Sequence, residues 1–230
     1  MGSENKEKTN ETVKQERNLS EAEKKRVEAF AVTEEKLKQE GYVRKDLTIS
    51  IEKANLVGPL LVLPIMAVLI AVFLILYGFE PVREVIKDHS LWTGVSIVLA
   101  GLSIIPLAIV HEWIHGLSWG ISAEHHMKDI EYGFIKEKLT PYCYCRSPRS
   151  KGAYVFGSMM PLTILGVVVS IVAIIIASPV LLLVGLMQVL GGCGDILITG
   201  MLLRYKTNGK DVVLLDHPTE CGLIVFEKQK

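Results

Sequence analysis

The residues best suited to chemistry in this sequence form the motif H-E-x-x-H at residues 111–115. On an α-helix, residues i and i+4 lie on the same face, so His111 and His115 can direct both imidazoles at one metal ion. Glu112 follows the first histidine, where a carboxylate can take a proton from a metal-bound water. This spacing predicts a zinc site with His111 and His115 as ligands and Glu112 as the general base.

The surroundings of the motif separate it from a chance match. Twenty uncharged residues, 91–110, come directly before it, which is the length that a helix needs to cross a bilayer core. A charged group at the bilayer centre costs about 2.5–3.5 kcal/mol on insertion scales, so ionisable groups in such segments indicate functional sites. The alternative is an unligated, hydrated cluster at the membrane boundary, which the apolar surroundings disfavour.

The distribution of apolar residues predicts an all-α membrane protein with about four transmembrane helices. Half of the 230 residues are hydrophobic, and they are segregated from the charged residues. The last apolar region is too long for one helix, and Pro179 divides it in two. The formal net charge is zero, which gives no case for a nucleic-acid partner. The predicted helices cover residues 56–79, 91–121, 153–177 and 180–203.

Prolines are expected to bend two of these helices. Pro64 lies inside the first helix and is expected to kink it. Pro106 lies five residues before His111, where it frees a backbone carbonyl and opens room for water or substrate. The alternative for Pro106 is a packing kink with no part in the chemistry.

A single carboxylate stands in the last two predicted helices. Asp195 is their only formally charged residue, and a carboxylate within a membrane helix requires a partner. The zinc ion at His111 and His115 is the obvious one. Asp195 lies nine residues before Arg204, and His115 lies nine residues before Glu124. At 1.5 Å per residue, both are about 13 Å from the same membrane face, which predicts Asp195 as the third ligand.

The polar segments predict small elements of β-structure. The insertion at residues 122–151 alternates apolar and polar residues, which favours a short hairpin over the metal site. Its strand edges can hold an extended peptide by adding a strand, or the hairpin only covers the site; both interpretations stay open. Residues 80–90 are interpreted as a plain polar connection. Further short strands are predicted at residues 47–51, 212–215 and 223–226.

Basic residues predict the orientation in the membrane. The 122–151 insertion carries more lysine and arginine than the 80–90 connection, so it is expected on the cytoplasmic side. With four crossings, the N- and C-termini are cytoplasmic too, in a multi-pass protein of the cell membrane. The predicted domains are a disordered tail at residues 1–18, a cytoplasmic helix and strand at 19–54, a four-helix metalloprotease-like domain at 55–204, and a cytoplasmic tail at 205–230.

The four cysteines do not indicate a disulfide framework. A second zinc site from Cys143, Cys145, His125 and His126 is conceivable. Its spacing differs from that of zinc fingers, which makes it the weaker hypothesis.

Three features together resemble the zincin peptidase family of membrane proteins: the motif at residues 111–115, the insertion with its run at 141–145, and Gly194-Asp195-Ile196 in a later helix. The resemblance covers roughly residues 30–205. More distantly, the arrangement is similar to site-2 proteases, which are intramembrane zinc enzymes. This resemblance implies Zn²⁺ bound by His111, His115 and Asp195, with Glu112 as the general base.

The predicted function is a zinc-dependent intramembrane metalloendopeptidase that hydrolyses peptide bonds of membrane-associated substrates. Its partners are the lipid bilayer and a peptide or membrane-protein substrate, and the sequence leaves the oligomeric state open. One alternative is a non-enzymatic metal-binding membrane protein, such as a sensor or scaffold. Another is a transporter, suggested by kinked helices but weakened by the lack of an internal repeat.

Overall fold

The computed structural model describes residues 20–135 and 140–229, so the predicted disordered tail at 1–18 lies outside the described residues. Within them the chain is mostly helical, with a two-stranded and a three-stranded antiparallel sheet. The predicted mainly helical architecture with small β-elements is therefore confirmed.

The first helix, α1 (Glu21–Gln39), begins at the predicted capping box. The Ser20 hydroxyl accepts a hydrogen bond from the Glu23 amide, and the Glu23 carboxylate accepts one from the Ser20 amide. Gly41 has a φ of 85° and turns the chain into β1 (Tyr42–Thr48). The strand predicted at 47–51 is thus placed too late, because Ser50 caps the next helix by accepting the Lys53 amide.

The next helix, α2 (Ile51–Tyr77), runs through Pro64 without a break. The interpretation of residues 80–90 as a plain connection is wrong, because α3 (Glu80–Lys87) forms there. Pro81 occupies the first turn, where its missing N–H is not needed, and Val82, Val85 and Ile86 have helical spacing.

The segment predicted as one helix over residues 91–121 consists of α4 (Leu91–Leu102) and α5 (Ile104–Gly120), bent by 45°. Pro106 cannot donate a hydrogen bond to the Leu102 carbonyl four residues earlier, and the bend lies within that turn. The motif therefore lies on a short helix that begins seven residues before His111.

The third predicted helix is confirmed as α6 (Lys151–Ile175), which contains a π-helical stretch, Leu162–Val168. The fourth is not continuous: α7 (Pro179–Gly191) and α8 (Cys193–Arg204) are bent by 44°. Gly192 stands at the break, and a Cβ on it would lie 2.7 Å from Leu162 Cδ1. Within the described residues, α2 and α6 are long and apolar enough to cross a membrane, and counting each bent pair as one span gives four.

The predicted hairpin in the insertion is confirmed as β2 (Ile130–Ile135) and β3 (Thr140–Cys145), which pair antiparallel and pack on α5. The two strands predicted in the tail are also present, as β4 (Val212–Asp216) and β5 (Gly222–Lys228). They are not a separate ribbon, because β1 joins them in the order β1-β5-β4. One face of this sheet packs on α1 through Ile224 and Phe226. On the other face, Leu214 and Val225 pack against Tyr154 and Leu202.

Candidate metal centre

The structure brings His111 and His115 on α5 together with Asp195 in the first turn of α8. His111 Nε2 lies 3.1 Å from Asp195 Oδ2, and His115 Nε2 lies 3.3 Å from Asp195 Oδ1. The three ligand atoms all lie within 4.8 Å of one another. Both histidines are buried, with 8% and 4% of their surface exposed. The three groups thus form a compact, water-poor cluster.

The two contacts that Asp195 makes with the imidazoles are close to the ligand separations around a tetrahedral zinc ion. With metal–ligand distances of about 2.0–2.2 Å, tetrahedral ligands stand about 3.3–3.6 Å apart. His115 Nδ1 lies 2.9 Å from the Gly157 carbonyl oxygen, which can only accept a hydrogen bond. In the neutral ring, the Nε2 lone pair therefore faces the Asp195 oxygen, and two acceptors at 3.3 Å require a cation between them or a proton on the ring. A divalent metal meets this requirement.

Trp119 and Gly157 support the His115 imidazole. The Trp119 ring stacks on it, with centroids 4.8 Å apart and planes 12° from parallel. The indole Nε1 donates to the Tyr154 carbonyl oxygen at 3.2 Å. A Cβ on Gly157 would lie only 2.0 Å from Trp119 Cδ1, so α5 and α6 approach closely because this residue is glycine. The outer hydrogen bond to Gly157 fixes the ring nitrogen that faces Asp195.

Sequence reasoning missed these supporting residues. Trp119 follows His115 by four residues, which places both on one face of α5, and that spacing was the available signal. Gly157 has no sequence signal beyond being a small residue in an apolar helix. Its role depends on the approach of α6, which the sequence does not reveal.

Glu112 lies beside the cluster on the wall of a cavity of about 250 Å³. The backbone N–H of Cys143 on β3 lies close enough to its carboxylate to interact with it electrostatically. The hairpin therefore contacts the motif directly. The other residues that line this cavity are Ile104, Ala108, His111, Pro141, Met187, Gln188 and Gly191.

The alternative site of Cys143, Cys145, His125 and His126 is not supported. These residues are not among the groups that the described part of the chain gathers closely enough to hold a metal ion. Burial also raises the pKa of the Cys143 thiol, which keeps it protonated and makes it a poor ligand.

A family model described as "Putative zincin peptidase" matches residues 104–209. This range runs from the start of α5 past the end of α8 and contains the motif, the hairpin and Asp195. The match confirms the family resemblance predicted from the sequence. No curated protein and no solved structure matches the chain.

Proposed function

Because residues 104–209 match a family of zincin peptidases, we propose that this protein is a zinc-dependent intramembrane metalloendopeptidase. One observation carries the proposal. A carboxylate 84 residues further along the chain than His111 meets two imidazoles beside a cavity that Glu112 also lines. Three protein ligands leave one tetrahedral position open, as in catalytic zinc sites and unlike closed structural ones.

The chain supplies the groups that the hydrolysis needs. His111, His115 and Asp195 would hold the zinc ion, which would supply Lewis-acid chemistry by lowering the pKa of water and polarising the peptide carbonyl. Glu112 accepts the proton of the attacking water and returns it to the amine nitrogen of the leaving peptide. We expect the nearby Cys143 amide to keep the Glu112 carboxylate in place for both transfers. Burial of the cluster excludes bulk water, which strengthens each charge interaction.

The hairpin beside the cavity favours an extended substrate over a helical one. Pro141 of β3 lines the same cavity as His111 and Glu112, so the hairpin borders the place where the scissile bond must lie. A strand edge binds an extended segment through main-chain hydrogen bonds and leaves alternate side chains free. We therefore expect the substrate to be an unwound segment of a membrane-associated protein.

Apolar surface supports placement in a bilayer. Residues of α4 such as Leu91, Trp92 and Leu102 are largely exposed, which is unfavourable in water over so large a contiguous area. All backbone groups inside a helix are paired, which the hydrocarbon core of a bilayer demands. We propose four spans, α2, the α4–α5 pair, α6 and the α7–α8 pair, with both termini cytoplasmic because the basic insertion lies on their side.

Substitutions at the motif test the proposal. We expect purified full-length protein in detergent to hold zinc, and His111→Ala to lose it because a ligand is gone. Glu112→Gln should keep the zinc and abolish cleavage because only the base is removed. The matched control is His89→Ala, an exposed histidine between α3 and α4, which should change neither property. Zinc content is measured by mass spectrometry of the metal.

Cleavage can be followed in whole membranes, where the substrate need not be identified first. Membrane fractions from cells with the parent chain or with Glu112→Gln are compared by peptide mass spectrometry, and uncleaved substrates should accumulate in the variant. Stoichiometric zinc with identical peptide profiles would instead support a metal-binding sensor or scaffold. Cleavage by the Glu112→Gln protein at the parent rate would refute the assigned base.

A further inference from the structure

A buried arginine lies next to two aromatic residues, one of which, Trp119, stacks on the candidate metal ligand His115. The Arg149 side chain is fully buried, and its guanidinium carbon lies 4.4 Å from the centre of the Trp119 ring and 4.8 Å from that of Tyr154. A buried guanidinium is unfavourable unless its charge and its donors are compensated. The position of Arg149 against two aromatic rings therefore depends closely on its partners.

The partners of Arg149 come from the C-terminal sheet. Its Nη2 donates to Asp216 Oδ2 at 2.7 Å, and the Tyr154 hydroxyl donates to Asp216 Oδ1, also at 2.7 Å. The Arg149 backbone exchanges two hydrogen bonds with Leu214, which lies two residues before Asp216 on β4. Within the described residues, Nε and Nη1 have no hydrogen-bond acceptor, so the aromatic rings supply much of the remaining compensation.

These contacts connect the C-terminal sheet to the metal cluster in three steps. Asp216 fixes the guanidinium of Arg149, which lies against the indole of Trp119. That indole stacks in turn on the imidazole of His115. Asp216 lies beyond the segment that matches the family model, which ends at residue 209.

We propose that Arg149, held by Asp216, is a positioning residue that keeps His115 oriented for metal binding through Trp119. This inference rests on the proposed function, because His115 needs an orientation only if it binds a metal. Removing the guanidinium leaves a space beside the indole, and a mobile indole no longer fixes the imidazole plane. Loss of such outer partners typically weakens metal binding by about 10–100-fold.

A competing explanation is that Arg149 and Asp216 only attach β4 to the start of α6. In that case their loss would lower the stability of the whole protein without a specific effect on zinc. The test therefore needs a control that is destabilised elsewhere. Ile224→Ala serves this purpose because Ile224 is fully buried on the other face of the sheet, against α1.

The first measurement is zinc affinity of the metal-stripped, full-length protein, by competition with a chromophoric chelator. We expect Arg149→Lys and Asp216→Asn to bind zinc about 10–100-fold more weakly than the parent chain, because lysine lacks the planar guanidinium that packs on the indole and asparagine lacks the charge that holds it. Arg146→Lys, an exposed arginine of the same loop, and Ile224→Ala should bind as the parent does. Equal affinity of Arg149→Lys and Ile224→Ala, at equal melting temperature, would overturn the proposal.

The second measurement uses metal-free protein and does not depend on zinc binding. Histidine labelled with ¹⁵N reports by NMR which ring nitrogen carries the proton, and His115→Gln assigns the signal. In the parent, Nδ1 should always carry a proton, held by the Gly157 carbonyl, whereas in Arg149→Lys part of the signal should come from rings without a proton on Nδ1. An unchanged signal would refute the positioning role. A parent chain that binds no zinc would refute the proposed function, while this NMR comparison would still show whether Arg149 orients the His115 ring.

Discussion

Substitution of Gly157 by alanine should damage the metal cluster through Trp119. A Cβ at this position would lie 2.0 Å from Trp119 Cδ1 and 2.1 Å from Nε1, whereas ordinary contact begins at 3.4 Å. Most of this contact is with the rigid indole ring, so the ring or the helix must move. Either movement disturbs the stacking on His115 and the hydrogen bond from its Nδ1 to the Gly157 carbonyl.

The size of the effect can be worked out for stability and for zinc binding separately. Overpacking of a well-packed interior costs about 1–3 kcal/mol, and alanine recovers up to about 1 kcal/mol of helix propensity relative to glycine. We therefore expect Gly157→Ala to lower the free energy of unfolding by at most about 3 kcal/mol. Displacement of Trp119 or of the Gly157 carbonyl from His115 should weaken zinc binding by about 10–100-fold, or about 1.4–2.7 kcal/mol.

The matched control is Gly152→Ala on the same helix, where an added Cβ meets no atom within 4 Å. It should retain the zinc affinity of the parent and keep or slightly raise its melting temperature, because only helix propensity changes. Both variants are compared by chelator competition and by thermal melting in the same detergent. If Gly157→Ala binds zinc as tightly as Gly152→Ala, the indole does not orient His115 and the reasoning fails.

Three further predictions concern other parts of the molecule. Cys143→Pro removes the backbone N–H that faces Glu112, so this variant should keep zinc and lose most of its cleavage activity. The control Cys143→Ala keeps this N–H and should retain both zinc and cleavage. Equal cleavage by the two variants would count against a role for the Cys143 amide. Asp195→Asn should weaken zinc binding, measured by chelator competition, by more than about 10–100-fold, because a ligand and not a partner of a ligand is lost. An affinity equal to that of the parent would show that the third ligand is another group. Hydrogen bonds, first of all from Lys210, lower the pKa of Glu227 to about 2, so Glu227 stabilises the fold fully above its ordinary pKa of 4.5 and loses this effect as the pH falls towards 2. Glu227→Gln should therefore lower the melting temperature at pH 7 and flatten its dependence on pH between 4.5 and 2.

The features that could be predicted from the sequence are those set by neighbouring residues. The pairing of Ser20 with Glu23 depends on a spacing of three residues, and the shared face of His111 and His115 depends on a spacing of four. Asp195 was detectable because a lone charge in an apolar segment is unfavourable without a partner. Each of these signals can be evaluated without knowing the rest of the fold.

The features that could not be predicted depend on distant contacts. The apolar sequence that contains Gly192 has the pattern of one continuous helix. In the structure the helix bends there, where Leu162 of another helix packs against the glycine. In the same way, β1 forms because Tyr42 pairs with Lys228 at the other end of the described chain. Arg149 reads as one basic residue among several in a polar loop, and its burial follows from the position of Asp216.

The two helix bends have a common consequence for the cluster. Each ligand-bearing helix begins at a bend, so Asp195 lies in the first turn of α8 and not in the middle of a long helix. The amide groups of a first turn have no partner within their own helix, and the helix dipole interacts favourably with a carboxylate there. The negative charge of Asp195 is thus partly stabilised without a metal. The His115 ring is held in place separately, by its hydrogen bond to Gly157 and by stacking on Trp119. A zinc ion would then bind to a site that the fold has already formed, unlike in small zinc domains that are unfolded without their metal.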